Sequence, residues 1–239
     1  MPLTISTGTL SGLVQPDFCP RCFWIKLKCE GKIPYQIPMP GIFTSIHSYI
    51  TKVVHRHYEK EGKLPEWFPY IGEVVKLEKT PSYHQFKVTD PETSITLRGT
   101  PDAVFQLEGS RYHIVDYKTA RLTATQDELF PMFEVQLNAY AYIANRTLFS
   151  PVSDLSLIYL DPDTDFESNP DLLSRSEDYL TLGFTPKIKP VEIKADSFIE
   201  ELLHRANEIS QQDSPPEHTY ASQDCQLLER LVEVATIGS

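Results

Sequence analysis

The chain has 239 residues, 41% of them hydrophobic, and carries 33 acidic against 22 basic side chains for a formal charge of −11. That length and composition suit one compact domain, or one domain with a small appendage, around a real core. No stretch reaches the ~20 apolar residues of a membrane helix, and "MPLTISTGTLSG" lacks the basic and apolar regions of a secretion signal, so the expectation is a cytoplasmic protein with no membrane contact.

In chain order, residues 17 to 30 read as a turn entering a short helix. Residues 21 to 32, "RCFWIKLKCEGK", set Arg21, Lys26, Lys28 and Lys32 against Glu30 alone, so a locally basic face sits on an acidic protein. Such a face, with Trp24 beside it, suits a nucleic-acid strand, or is simply solvated with Trp24 in the core. "YQIPMPG" (35 to 41) is a proline-rich connector. From Ile42 to about Lys60 the positions Phe43, Ile46, Ile50, Val53 and Val54 recur at three- and four-residue steps, which predicts an amphipathic helix. Residues 71 to 119 read as strands broken by "KTPSYH", "TDPETS" and "LEGS". A second helix begins near Pro131 and runs to about Asn145. "DLSLIYL" (154 to 160) is a strand, 161 to 178 an acidic loop, and 181 to 194 hold one or two strands. "DSFIEELLHRANEISQ" is a helix capped by Asp196 or Ser197. "DSPPEHTY" links it to a last helix, "SQDCQLLERLVEVA". Strands flanked by helices of these lengths predict a three-layer α/β/α domain with a mixed sheet.

The hairpin "RGTPDAVFQLEGSRYHIVDYKTA" places Asp102, Asp116 and Lys118 in the most hydrophobic strands of the chain. Strand side chains alternate, so Asp116 and Lys118 share a face with Ile114. A three-residue loop, Glu108 to Ser110, pairs 107 with 111 and sets Asp102 opposite Asp116, roughly 5 Å apart at Cβ. A two-residue turn would put the aspartates on opposite faces. Two such carboxylates under cover repel and lose hydration, and a divalent Mg²⁺ or Mn²⁺ relieves both problems. Lys118 would add positive charge where a hydrolytic transition state needs it. A structural Asp116–Lys118 ion pair is the plain alternative.

In "FEVQLNAYAY", Gln136 and Tyr140 lie four apart on one helical face, beside an apolar stripe of Phe133, Leu137 and Ala141. Together they can orient a lysine, a water or a phosphate, or form a half-exposed polar stripe. His47 shares a helix face with Phe43, Ile50 and Val54; a histidine there is either a core residue or a ligand. His55 and His57 read as solvent-facing.

A helix histidine, "GTPDAVF", "IVDYKTA" and "QLNAYAY" in this order resemble the H…D…D-x-K…Q-x-x-x-Y series of the RecB-like branch of the PD-(D/E)XK nucleases, which includes CRISPR-associated RecB-like exonucleases. "CPRCFW" is similar to a stretch that often opens such domains. The resemblance implies a restriction-endonuclease-like core and a single nuclease domain over 1-239. It implies that His47, Asp102, Asp116 and the carbonyl of Tyr117 ligate a catalytic Mg²⁺ or Mn²⁺. Lys118 would position the water or stabilise the transition state, and Gln136 and Tyr140 would orient the lysine or the strand. The implied activity is exonuclease or end-processing cleavage of single-stranded DNA or duplex ends, with a helicase or CRISPR adaptation proteins as conceivable partners. The reading from a different class is a non-cleaving DNA-binding or scaffold subunit; hydrolysis of another phosphate ester is a third.

All four cysteines fall near the ends: Cys19, Cys22, Cys29 and Cys225. Cys22 and Cys29 are seven apart, two helical turns, and so lie on one side. Ser222 can cap the last helix with Cys225 in its first turn. A four-thiolate site in a lobe formed by 16-34 and 215-236 would join the termini, and zinc or an iron–sulfur cluster suits it equally on chemistry. Four unrelated buried thiols are the alternative. The resemblance favours a 4Fe–4S cluster, although related nucleases split their cysteines one and three rather than three and one.

Overall fold

The computed structural model describes residues 3–31, 40–121, 123, 128–165, 167, 182–219 and 222–237. Most of the proline-rich connector and of the acidic loop lie outside them. Strand β1 (Thr4–Ser6) leads into a single helical turn, α1 (Thr7–Ser11), capped by the Ser6 hydroxyl. Then come α2 (Pro20–Lys28) and α3 (Gly41–Glu61). Five strands follow: β2 (Val74–Leu77), β3 (Lys87–Thr89), β4 (Thr96–Arg98), β5 (Ala103–Leu107) and β6 (Arg111–Lys118). Helix α4 (Phe130–Arg146) precedes β7 (Val152–Asp163) and β8 (Gly183–Val191), and α5 (Asp196–Ser210) and α6 (Gln223–Thr236) close the chain.

The main sheet has the order β2-β5-β6-β7-β8. Every neighbouring pair is antiparallel except β6 and β7. A parallel pair needs a long crossover, and α4 supplies it. Along β6 the side chains alternate between two cores: Ile114 packs with Val104, Leu137 and Leu157, and Val115 and Tyr117 pack with Ile50, Val54 and Phe105. Helix α4 therefore covers one face and α3 the other, giving the mixed α/β core with helices that the pattern predicts. A strand buried on both faces reads as a continuous apolar run, which is why its charged residues stand out. Among the described residues no helix is long and apolar enough to cross a membrane.

Several details depart from the sequence reading. β1, too short to show a period, pairs in parallel with β4, and with β3 they form a second sheet, β1-β4-β3. Phe43 is 40% exposed because the buried side chains of α3 are Ile50 and Val54, in its second half. His55 and His57 are both half-buried, not solvent-facing. The cap of α5 is Ala195, one residue before the expected pair.

"TDPETS" closes the turn between β3 and β4 around a buried Asp90. Its Oδ2 accepts from the Thr93 N–H and hydroxyl at 2.8 and 2.6 Å, and Tyr142 donates to Oδ1 at 3.4 Å. Burial pushes the carboxyl up, but the Thr93 donors outweigh it and hold it below the usual aspartate range. Asp90→Ala strands these donors, so thermal unfolding should show a loss of about 2 kcal/mol. The Asp90 contribution is present above the ordinary aspartate pKa and fades as pH falls through the depressed one.

Candidate active site

The β5–β6 loop is the three residues Glu108, Gly109 and Ser110, with Leu107 paired to Arg111 and Ala103 to Val115. Positive φ at Gly109 (82°) and Ser110 (56°) turns the chain in that short space. Continued one step, this register sets Asp102 opposite Asp116. Asp102 sits just before β5, where the Tyr117 N–H donates to its Oδ2 at 2.7 Å. Asp116 is held in β6, its side chain 5% exposed, with the Lys118 Nζ 2.6 Å from Oδ2.

Lys118 is the centre of a further set of contacts. Its ammonium donates to the Gln136 Oε1 at 3.2 Å and lies 4.1 Å above the Phe133 ring. The Gln136 Nε2 in turn donates to the Tyr140 hydroxyl at 2.9 Å. Spacing of four on α4 stacks Gln136 and Tyr140 along the face turned to the strands, so the helix holds the lysine from above. His47 arrives from the other layer: its Nε2 stands 3.5 Å from Asp102 Oδ1, at the sheet end where α3 and α4 both reach. The Tyr117 ring points into the α3-side core beside His47 and Phe68, so only its backbone faces the carboxylates. The structure thus brings together His47, Asp102, Asp116, Tyr117, Lys118, Gln136 and Tyr140.

Burial is the main force on the Asp102 carboxyl and the Asp116 charge adds to it; together they push it up to about 8, against the Tyr117 N–H and the Lys118 ammonium. Burial and the same Asp116 charge push the Tyr140 hydroxyl above its usual value, so it is a neutral donor. Asp116 Oδ2 has its ion pair with Lys118 but no well-aligned hydrogen bond among the described residues. Two carboxyl groups against one ammonium balance only while Asp102 holds a proton, and the Asp116 oxygen still lacks a directed partner. Both features fit a hard divalent cation.

Sequence reasoning missed the wall beside Tyr140. A pocket of about 370 Å³ is bounded by Thr7, Gly8, Arg98, Gly99 and Thr100 along with Gln136 and Tyr140, and the Thr7 hydroxyl bonds that of Tyr140. The "STGT" run at the start of α1 was the available signal, but too short to place. Gly99 has no side chain for a reason: a Cβ there would lie 2.6 Å from Tyr140 Cε1 and 3.0 Å from Thr7 Cγ2. Gly99→Ala should therefore shift the Tyr140 ring, cost about 1–3 kcal/mol in a denaturant titration, and slow any reaction that uses its hydroxyl.

At the chain ends, the sulfurs of Cys19, Cys22 and Cys225 lie within 4.8 Å of one another. Ser222 caps α6 as the sequence suggests, accepting the Cys225 N–H at 3.3 Å. Cys29 stands apart, exposed at the C-cap of α2. Its seven-residue step from Cys22 keeps it on one side of the helix but carries it about 10 Å along the axis. The basic face is partly spent internally: Arg21 donates to the Pro216 carbonyl at 2.9 Å and pairs with Glu229, and the Trp24 indole donates to the Gln212 carbonyl at 3.0 Å.

Residues 39–230 match the family model of the PD-(D/E)XK nuclease superfamily. No curated protein sequence matches the chain. Among solved structures it is similar to the crystal structure of SSO0001, at 14% identity and a TM-score of 0.48, over 91% of this chain and 80% of that one.

Proposed function

The chain belongs to the PD-(D/E)XK nuclease superfamily, and from that premise we propose that it is a metal-dependent nuclease that hydrolyses DNA phosphodiester bonds at single-stranded or duplex ends. The observation that carries this reading is the buried pair Asp102 and Asp116 with Lys118 held between Asp116 and Gln136. A merely structural ion pair needs one carboxylate, not two.

In this reading Asp102, Asp116 and the Tyr117 carbonyl supply hard oxygen donors, and His47, 40% exposed, completes the set from the solvent side. When bound, Mg²⁺ or Mn²⁺ supplies Lewis-acid stabilisation of the scissile phosphate and a more acidic water. Lys118 holds a fixed positive charge beside that point, where negative charge grows in the transition state. Gln136 fixes the rotamer of Lys118, so the charge needs no reorganisation when the reaction occurs. Tyr140, neutral and anchored by Thr7 and Gln136, offers its hydroxyl to a phosphate oxygen at the mouth of the Gly99 pocket. The 4Fe–4S cluster implied by the resemblance needs a fourth thiol, and the described geometry assembles three.

The test is labelled single- and double-stranded DNA with Mn²⁺ or Mg²⁺, comparing the wild type with Lys118→Ala. Shortening of the DNA by the wild type alone is the expected result. Binding without cleavage by both proteins would overturn it in favour of a non-cleaving subunit.

A further inference from the structure

We infer that the substrate strand leaves the catalytic carboxylates unpaired, through the Gly99 pocket and over Arg98, into a second cavity beside Lys26 and Lys28. The inference rests on the nuclease reading and narrows its substrate to DNA with a single-stranded tail at the site. The first cavity, of about 370 Å³, shares Gln136 and Tyr140 with the active site, and Gln136 accepts from Lys118 at 3.2 Å. The second, of about 640 Å³, lies between the edge of β1, the end of α2 and the end of α5. Ser6 and Arg98, partners in the β1–β4 register, border both cavities. The two spaces therefore meet at Arg98.

Charge along this path runs against that of the chain as a whole. Its walls carry Arg98, Lys26 and Lys28 with Glu30 as the acidic exception, on a protein of formal charge −11. Among the described residues none of the three cations has an ion-pair partner. Arg98 lies 5.0 Å over the Tyr83 ring instead, and the Lys28 Nζ 5.2 Å over Trp24. A ring holds a cation without using up its hydrogen-bond donors. Arg21 is the contrast, with donors given to Pro216 and Glu229. One guanidinium and two ammoniums along a cleft suit successive phosphates, and a cleft of one sign concentrates the opposite charge.

Width selects one strand over two. A cavity of about 370 Å³ is at the small end of the range that encloses a drug-sized molecule, the scale of one nucleotide and not of a base pair with both backbones. Tyr140 and Thr7 stand 2.6 and 3.0 Å from where a Cβ on Gly99 would be, so this wall has no slack to widen. Tyr83, 46% exposed, borders the same cavity and gives an unpaired base a ring to lie against, a contact that reads no sequence.

The experiment measures binding of labelled oligonucleotides by fluorescence anisotropy in EDTA, where no metal-dependent cleavage occurs, over a range of NaCl. The wild type should bind a single strand, and a duplex with a single-stranded tail, about tenfold tighter than a blunt duplex, the worth of one stacked base. Each lost phosphate contact should flatten the slope of log K against log salt by about 0.7 and weaken binding about fivefold at 0.1 M salt. Arg98→Gln should show one such step, and Lys26→Gln combined with Lys28→Gln should show two. Lys60→Gln, in the last turn of α3 and lining neither cavity, should show none. Arg98→Lys keeps the charge and should keep the slope, which separates a phosphate contact from damage to β4. Equal affinity for the blunt duplex, no binding of the single strand, or an unchanged slope in Arg98→Gln would each overturn the path. Binding in EDTA does not depend on cleavage, so a chain that cuts nothing but keeps these slopes would overturn the nuclease reading and leave the path standing.

Discussion

Asp116→Asn should abolish cleavage while leaving the metal-free protein at least as stable as the wild type. The site sets two carboxylates against one ammonium, and Asp102 is pushed up partly by its neighbour's charge. Removing the Asp116 charge leaves Asp102 and Lys118 as a balanced pair. Replacing a buried charge whose partner finds another costs little, and relieving repulsion offsets it. Cleavage has no such compensation. A lost oxygen ligand removes several kcal/mol of transition-state stabilisation, or about a thousandfold in rate. The discriminating measurement is a melting curve with and without Mn²⁺. Wild type should gain stability on adding the ion, since a ligand bound only by the folded state stabilises it, and the variant should lose that response. A variant that melts far below wild type but still cleaves would make Asp116 a structural residue instead.

How much of this was legible in the sequence differs from residue to residue. The aspartate pair was legible because both faces of β6 are buried, so a charge in the run is conspicuous and the need to pair Asp102 with Asp116 fixes the loop at three residues. Gln136 and Tyr140 were legible because a four-residue step on a helix is a statement about direction. The same argument failed at Cys29, since a helical period fixes the side on which a residue lies but not its distance along the axis. Arg21 and Trp24 looked like a surface for nucleic acid because sequence shows charge without showing what that charge touches. The wall formed by Thr7 and Gly99 depends on β1 adding to β4, a parallel pairing between segments some 90 residues apart.

Lys118→Met should lose cleavage as well, but with the opposite signature in stability. The methionine keeps much of the apolar stem against Phe133 while removing the charge that Asp116 faces at 2.6 Å. Both side chains are largely covered, 18% and 5% exposed, and breaking a buried pair by deleting one partner costs about 3 kcal/mol, roughly 10 °C in Tm for a chain of this length. The loss should depend on pH in a fixed direction. The folded pKa of Asp102 lies above the ordinary aspartate value of 3.8, at about 8 in the wild type. The folded protein therefore holds a proton that the unfolded chain has released, and its stability falls as pH rises between those values. Without Lys118 to oppose it, that proton is held more firmly, so the defect should be nearly constant below about pH 7 and deepen as pH rises through about 8, where the wild type sheds the proton and the variant keeps it. Mn²⁺ at pH 8 should restore much of the lost stability, because the cation answers the same excess charge, yet cleavage should stay absent. Stability regained with activity still missing assigns the ammonium to the transition state; recovery of both would leave Lys118 with no role beyond neutralising the two aspartates.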